Sequence, residues 1–302
     1  MHSSKGNLNR RMSNVHFLMT YPTRFNPKVR RGRAAGNGRI LTAASLRTCL
    51  PSRHLVLAAS VLILATTAHG QTDKNAWTDL SSGEKALDAW ASPTGDWLCA
   101  ASVVPDSKNP KLLQARPGHD FLVNGRKGRT VDLITKQKFG DVEVHLEFLI
   151  PKGSNSGVKF EGLYEIQILD SFGVKKPKGS DCGGIYPRAE EEPQYHHIDE
   201  GVPPRTNAAR PAGEWQTMDV IFQAPRFDPK DKKVANARFV KVVLNGQVIH
   251  ENVEVRTPTG SAWRLKKEIP EGPLLLQGTH GPVAFRNVRI RPYTEGEKPA
   301  KP

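Results

Sequence analysis

The sequence predicts an all-β fold, an antiparallel sandwich or barrel that forms one domain over residues 75–293. Between Trp77 and Tyr293, short runs of alternating apolar and polar residues are separated by Gly, Pro, Asn and Asp. No stretch of helical length repeats its apolar residues with the 3.6-residue period of an amphipathic helix. Short strands with frequent turn residues are typical of antiparallel sandwiches. Residues 294–302 are polar and contain proline, so we expect a loose tail.

The clearest strand covers residues 141–150, DVEVHLEFLI. Side chains alternate between the two faces of a strand, so its apolar residues at positions 142, 144, 146 and 148 face the core. Glu143, His145 and Glu147 then face solvent or a cleft. Asn245-Gly246 is a strong signal for a two-residue hairpin. The other predicted strands are 158–161, 164–169, 218–223, 239–244, 248–250, 274–277 and 283–290.

Residues 1–70 are predicted to be a basic leader followed by a secretory signal peptide. The uncharged run LVLAASVLILATT at 55–67 follows Arg47 and Arg53 and precedes Ala68 and Gly70. A basic segment, a short apolar segment and small residues at −3 and −1 predict cleavage before Gln71. We therefore expect a secreted or periplasmic protein with no stable membrane insertion after cleavage. The alternative is an uncleaved signal anchor, although a helical span needs about 20 residues.

The formal charge of +14 does not predict a nucleic-acid partner, because much of it belongs to the leader. Residues 1–72 hold eleven of the 44 Lys and Arg residues and no Asp or Glu. The remainder has 33 basic and 30 acidic side chains, an ordinary balance.

Three cysteines are present, and Cys49 would leave with the signal peptide. Export would permit a disulfide between Cys99 and Cys182. The spacing does not establish that these two residues meet.

Residues 171–213 form a long connection rich in proline and glycine. Ordering so long a segment costs conformational entropy, and such loops in compact domains are usually functional. We expect it to form a wall over the site.

Polar side chains on two strand faces are the first candidates for chemistry. Glu143, His145 and Glu147 share one face, and Glu165 and Gln167 share another. Carboxylates on such faces could serve as acid, base or metal ligand at separations that suit a sugar. Each of these Glu residues could equally well be an ordinary surface residue on a sheet face exposed to solvent.

For the histidines and tryptophans as well, both a role in a site and a purely structural role are open. His280 lies between two strands and could enter a cleft or bind a backbone carbonyl. His196 and His197 are adjacent, so joint metal binding is the weaker interpretation. Trp97 and Trp215 suit core packing better than sugar stacking, and Trp263 is the better candidate for an exposed aromatic. The chain lacks the nucleotide-binding glycine fingerprint and the G-x-S-x-G and H-E-x-x-H motifs.

Seven segments in order resemble the 3-keto-disaccharide hydrolase family across nearly the whole mature chain. The opening departs from the family, since its usual LFDG appears as DLSSG at 79–83. The resemblance implies a concanavalin-like jelly roll of two antiparallel sheets, secretion, and cleavage of glycosides oxidised at C3. The segments are FGDVEVHLEF at 139–148, NSGV at 155–158, YEIQILD at 164–170, GGIY at 183–186, GEWQ at 213–216, NG at 245–246, and HG at 280–281 with FRNV at 285–288.

The implied substrate suggests a mechanism, because a ketone at C3 acidifies the proton at C2. A base removes that proton, the aglycone leaves C1, and water can add back to complete a net hydrolysis. The predicted base or metal ligands are Glu147, Glu165, Asp170 and His280. The residues predicted to orient the sugar are Asn155, Gln167 and Tyr186.

A divalent metal ion is an expected cofactor, with Glu147, Glu165 and His280 as candidate ligands, because it would stabilise the enolate. No nucleotide cofactor is expected. Two alternatives remain at this point: a non-catalytic, lectin-like carbohydrate-binding module, and a conventional glycosidase with two carboxylates.

Overall fold

The computed structural model describes residues 76–296, apart from Arg126 and Ala262. The predicted leader, the signal peptide with its cut before Gln71, and residues 297–302 of the predicted tail lie outside the described residues. Over the part described, no helix is long and apolar enough to cross a membrane.

The described chain is built almost entirely of strands, with two short 3-10 helices at Ala86–Ala89 and Trp263–Leu265. The strands are β1 (Thr78–Asp79), β2 (Leu98–Pro105), β3 (Leu113–Val123), β4 (Leu133–Phe139), β5 (Val142–Leu149), β6 (Asn155–Phe160), β7 (Tyr164–Leu169), β8 (Ala189–Glu190), β9 (His196–His197), β10 (Gln216–Gln223), β11 (Arg226–Phe227), β12 (Lys233–Ala235), β13 (Ala237–Leu244), β14 (Gln247–Val255), β15 (Gly272–Leu276) and β16 (Ala284–Pro292).

Two antiparallel sheets dominate the architecture. The large sheet has the order β14-β13-β10-β5-β16-β3-β2, with β1 added against β16. The small sheet has the order β4-β15-β6-β7. Strands β8 and β9 form a separate two-stranded hairpin, as do β11 and β12. The prediction of an all-β jelly-roll sandwich is confirmed.

The core lies between these sheets and follows from the alternation of their strands. Val144, Leu146 and Phe148 of the large sheet join Val158 and Ile166 of the small sheet in one buried cluster. Rings from both sheets pack at its centre, with centroids 5.1–5.4 Å apart between Phe160, Phe222 and Phe239. Side chains on the opposite face of each strand are consequently directed away from the core.

The hairpin predicted at Asn245-Gly246 joins β13 to β14. Leu244 pairs with Gln247, and both turn residues have positive φ, 50° for Asn245 and 79° for Gly246. Positive φ at both central residues is the signature of the type I′ turn, which matches the twist of the flanking strands.

Strands β2, β3 and β4 were not individually identified from the sequence. Pro117 lies within β3, and Ala100 of β2 pairs with both Phe121 and Pro117 across an irregular register. Such a bulge breaks the regular alternation on which sequence interpretation depends.

Cys99 and Cys182 form no disulfide in the described structure. Cys182 is fully buried, and burial raises the pKa of its thiol to about 12. Trp97 is also buried, as expected for a core residue, and its indole nitrogen donates to the carbonyl of Val131 at 2.7 Å.

Candidate active site

A cavity of about 240 Å³ lies on the outer face of the small sheet, away from the core. Strands β6 and β7 and the segments around β15 supply its floor. Residues within 186–195 and 260–261 supply much of the rest of the cavity wall. The lining residues are Asn155, Lys159, Glu165, Gln167, Tyr186, Glu191, Tyr195, Gly260, Ser261, Gln277 and His280.

The floor follows from strand alternation. In β7, Tyr164, Ile166 and Ile168 belong to the core, so Glu165 and Gln167 face the cavity. The neighbouring strand β6 pairs in register, with Lys159 opposite Glu165. The two charged side chains are therefore neighbours on one sheet face.

Glu165 is the most deeply buried acid in the cavity, with 3% of its surface exposed. Its Oε2 lies 3.3 Å from Nζ of Lys159. Burial raises the pKa of the Glu165 carboxyl, and the positive charges of Lys159 and Lys266 oppose that rise. The carboxyl is thus a buried base with a cation beside it.

Gly157 allows the Glu165 carboxyl to occupy its position. A Cβ atom at residue 157 would lie 2.2 Å from Oε1 of Glu165, much closer than a van der Waals contact. The NSGV segment therefore has a physical role, because only glycine leaves room for the carboxyl against β6.

Lys266 approaches the same region behind Gly260. Its Nζ donates to the carbonyl of Thr259 at 3.0 Å. Burial, together with the charge of Lys159, lowers the pKa of Lys266 to about 8, although Glu165 opposes this.

His280 is positioned by a short chain of polar contacts. Its Nδ1 lies 2.8 Å from Oγ1 of Thr279, which donates to Asp132 at 3.3 Å. Burial, followed by the charges of Lys159 and Arg129, lowers the pKa of His280, while Asp132 opposes this. The imidazole is consequently neutral at neutral pH and able to accept a proton.

The buried side-chain amides of two glutamines line the cavity. Oε1 of Gln167 and Oε1 of Gln277 have no hydrogen-bond partner among the residues described. Buried polar groups normally have partners, so these amides are suited to hydrogen-bonding a bound ligand.

The segment 183–186 extends the small sheet beyond β7 and brings Tyr186 to the cavity. The amide of Tyr186 donates to the carbonyl of Glu165 at 3.0 Å, and Ile185 bridges to Ile166. Added Cβ atoms would lie 2.5 Å from Ile249 at Gly183 and 2.3 Å from a backbone oxygen at Gly184. The GGIY segment thus needs both glycines to fit this close packing.

Five of the seven predicted site residues line one cavity: Asn155, Gln167 and Tyr186, with Glu165 and His280. The predicted contribution of the 171–213 segment is also present, through Tyr186, Glu191 and Tyr195.

The prediction that Glu147 shares this groove is wrong. Glu147 lies on β5 in the large sheet, on the face opposite the core. Its Oε2 accepts bonds from Arg286 at 2.8 and 2.6 Å, and Asn287 donates to Oε1 at 2.5 Å. Burial raises the pKa of Glu147, but these hydrogen bonds outweigh it, and the pKa lies below its ordinary value. Glu147 is a partner of Arg286.

Asp170 is also absent from this cavity. It follows the last residue of β7, and its Oδ2 accepts the amide of Gly153 at 2.8 Å. It lines a different surface depression beside Pro151 and Phe172. Asp170 therefore stabilises the turn before β6.

Lys159, Gln277 and Ser261 were missed by sequence analysis. Lys159 is the residue before the last of β6 and faces outward, so the alternation of that strand could have identified it. Gln277 and Ser261 reach the cavity through pairings between distant segments, for which the sequence carries no local signal.

The three predicted metal ligands do not lie together in the described structure. Among the described residues, no three or more His, Cys, Asp or Glu side chains are placed to hold a metal ion. Glu147 lies on the other sheet, and Glu165 is paired with Lys159. Only Glu165 and His280 of the three candidate ligands line the cavity.

Comparison with known proteins gives both a family and a fold. Residues 76–291 match the model of the 3-keto-alpha-glucoside-1,2-lyase-like domain. The chain is similar to a candidate glycosyl hydrolase from Parabacteroides distasonis, with 26% identity, a TM-score of 0.52, and coverage of 72% of this chain and 84% of that one. No curated protein matches.

Two more distant structures have lower scores. The carbohydrate-binding module CBM66 of Bacillus subtilis is 12% identical, with a TM-score of 0.30 over 72% of this chain and 96% of that one. The alginate lyase vAL-1 of a Chlorella virus is 11% identical, with a TM-score of 0.32 over 72% of this chain and 100% of that one. Neither similarity is strong enough to assign an activity.

Proposed function

Because the chain belongs to the 3-keto-alpha-glucoside-1,2-lyase-like domain family, we propose that it is an exported enzyme that cleaves glycosides oxidised at C3. The reaction removes the proton at C2 and eliminates the aglycone from C1. The observation that carries the proposal is the cavity in which buried Glu165 lies beside Lys159 and shares its walls with His280.

Glu165 is proposed to remove the C2 proton. Burial makes its carboxylate more basic than an exposed one, and the positive charge of Lys159 opposes the rise in its pKa. His280, neutral and held by Thr279, is the second candidate base in the cavity. Glu165 is preferred to His280 as the base because its carboxyl is buried and lies tightly against Gly157.

Lys159 is proposed to stabilise the enolate oxygen at C3. Loss of the C2 proton places negative charge on that oxygen, and a fixed cation beside it lowers the barrier. The ammonium group needs no large rearrangement, because it already lies within 3.3 Å of the proposed base.

Asn155, Gln167 and Tyr186 are proposed to orient the sugar. Gln277 joins them, because its amide lines the same cavity and its oxygen has no protein partner in the described structure. A sugar presents several hydroxyl groups that could satisfy these amides.

The elimination leaves a double bond between C1 and C2 and releases the aglycone alcohol. If water then adds across that bond, its hydroxyl joins C1 and its proton joins C2, and the net change is hydrolysis. A divalent metal ion remains a prediction, and no step here passes through one.

The test is turnover of a 3-keto-glucoside by the wild-type protein, with sugar products identified by mass spectrometry. We expect cleavage by the wild type and a loss of about 100-fold or more in Glu165→Gln. Glu147→Gln is the matched control, since it changes an acid on the other sheet and should retain turnover.

Parallel reactions with a chelator test the metal prediction. Cleavage of an unoxidised glycoside would favour a conventional glycosidase instead. Binding of a glycan without any turnover of the keto-sugar would favour a carbohydrate-binding module. Unchanged turnover in Glu165→Gln would contradict its assigned role.

A further inference from the structure

We propose that Tyr186 donates the proton that the departing aglycone oxygen needs, and that Tyr195 and His197 connect it to solvent. This inference rests on the proposed elimination reaction and names the residue that acts as its general acid. Tyr186 lines the cavity together with Glu165, and its backbone amide is bonded to the Glu165 carbonyl.

The three side chains form one hydrogen-bonded cluster. The hydroxyl of Tyr186 lies 2.9 Å from that of Tyr195 and 3.2 Å from Nε2 of His197. The imidazole packs edge-on against both rings, with centroids 5.3 Å from Tyr186 and 5.7 Å from Tyr195. Two polar groups therefore lie beside the Tyr186 oxygen and can exchange a proton with it.

The cluster runs from the cavity to the surface. Tyr186 is partly buried, whereas Tyr195 is 48% exposed and His197 is also exposed. The hairpin sets this arrangement, because Ala189 in β8 pairs with His197 in β9 and Tyr195 precedes β9. Histidine is the side chain that most readily exchanges a proton with water near neutral pH.

The chemistry requires such a donor. The C2–H bond breaks, its proton passes to the base, and its electron pair forms the enolate at C3. The enolate then collapses to form the C1–C2 double bond as the C1–O bond breaks. The departing oxygen takes the Tyr186 proton and leaves as an alcohol. The Tyr186 phenolate regains a proton from water through His197 or Tyr195, and the protonated base returns its proton to water, so protons and electrons balance.

Tyr186 is suited to carry this proton. Burial, followed by the hydrogen bond with Tyr195, raises its pKa, so the phenol is protonated at neutral pH. Lys159, another donor in the cavity, is assigned to the enolate oxygen at C3, which leaves the departing oxygen to Tyr186.

Leaving-group dependence provides the test. We expect Tyr186→Phe to lose about 100-fold or more in kcat on methyl 3-keto-glucoside, whose alkoxide needs a proton, but less than about 5-fold on the 4-nitrophenyl compound. Tyr293→Phe, which removes a phenol outside the cavity, is the matched control and should leave both rates unchanged.

Tyr195→Phe and His197→Asn test the connection to solvent. Each should lower kcat on the methyl glycoside more than on the nitrophenyl one, and His197→Asn should change the pH profile. These variants also test the proposal if Tyr186→Phe fails to fold.

Equal losses on both substrates, or no loss on either, would show that Tyr186 only positions the sugar or is not needed, and would overturn the inference alone. A wild-type protein inactive on both compounds would overturn the proposed function, and this inference with it.

Discussion

Glu161 occupies an unusual environment for a carboxylic acid. It lies in the turn after β6 with φ of 56°, and both of its oxygens are buried with no hydrogen-bond partner among the described residues. Apolar side chains of both sheets, including Phe160 and Phe222, surround it. Burial, followed by the charges of Glu268 and Asp141, raises its pKa to about 8, while Arg226 opposes this and Glu271 adds to it.

This raised pKa predicts a pH-dependent stability. The protonated acid is favoured in the folded state, so folding loses stability as pH rises from about 4.5 towards 8. Glu161→Gln cannot ionise and should be more stable than the wild type by about 4 kcal/mol at pH 8.5, and by less than about 1 kcal/mol at pH 5.

Urea denaturation at both pH values measures that difference. Glu214→Gln, which changes an exposed acid, is the control and should shift both values equally. A wild-type-like response in Glu161→Gln would show that Glu161 is solvated.

Gly157→Ala tests how closely the site is packed. The added Cβ would displace the end of the Glu165 side chain while the backbone stays in place, because the clash is with Oε1. We expect turnover to fall by about 10-fold or more with unfolding free energy changed by less than about 1 kcal/mol. Kinetics and thermal melts check both parts. Full activity would mean that the position of the Glu165 carboxyl is not critical.

The strands show which parts of the site the sequence can predict. Alternation in β7 separates Glu165 and Gln167 from the core correctly, because the period of two fixes the face of a strand. The same rule in β5 places Glu147 away from the core, but it does not say which sheet contains β5. Sheet membership depends on pairings between distant segments, so Glu147 and Glu165 were wrongly grouped.

Turns can be predicted from their chemistry, and the β13–β14 hairpin offers a test. No atom lies within 4 Å of a Cβ built on Gly246, whose φ is 79°. Gly246→Ala should therefore cost only backbone strain, about 1 kcal/mol of unfolding free energy. Gly246→Asn should cost less, because asparagine tolerates this conformation. Equal losses in urea denaturation would contradict this explanation.

At the scale of the whole molecule, both sheets form the core but only one of them contributes to the proposed site. The inner faces of both form the core, while the proposed chemistry uses only the outer face of the small sheet. The fold class could be predicted because a sandwich needs only many short alternating strands. A wall from residues 171–213 could also be predicted, but the places of Glu191 and Tyr195 in it could not, because residues 186–197 are positioned by tertiary hydrogen bonds that leave no periodic pattern in the sequence.

Export is a prediction about the whole chain. When the full sequence is expressed in a bacterial host, we expect the exported protein to begin at Gln71, as measured by N-terminal sequencing. Leu62→Arg places a charge in the apolar run and should block export. Recovery of the uncut chain in the membrane fraction would favour the signal anchor.

The floor and the roof of the cavity contain very different numbers of backbone pairs. Strands β6 and β7 share six residue pairs, whereas β8 and β9 share two. Segments with few such pairs open locally at a lower free-energy cost than the core does. We therefore expect amide hydrogens of the β8–β9 hairpin to exchange with deuterium well before those of β7. A sugar could then reach Glu165 by lifting this hairpin while both sheets stay folded.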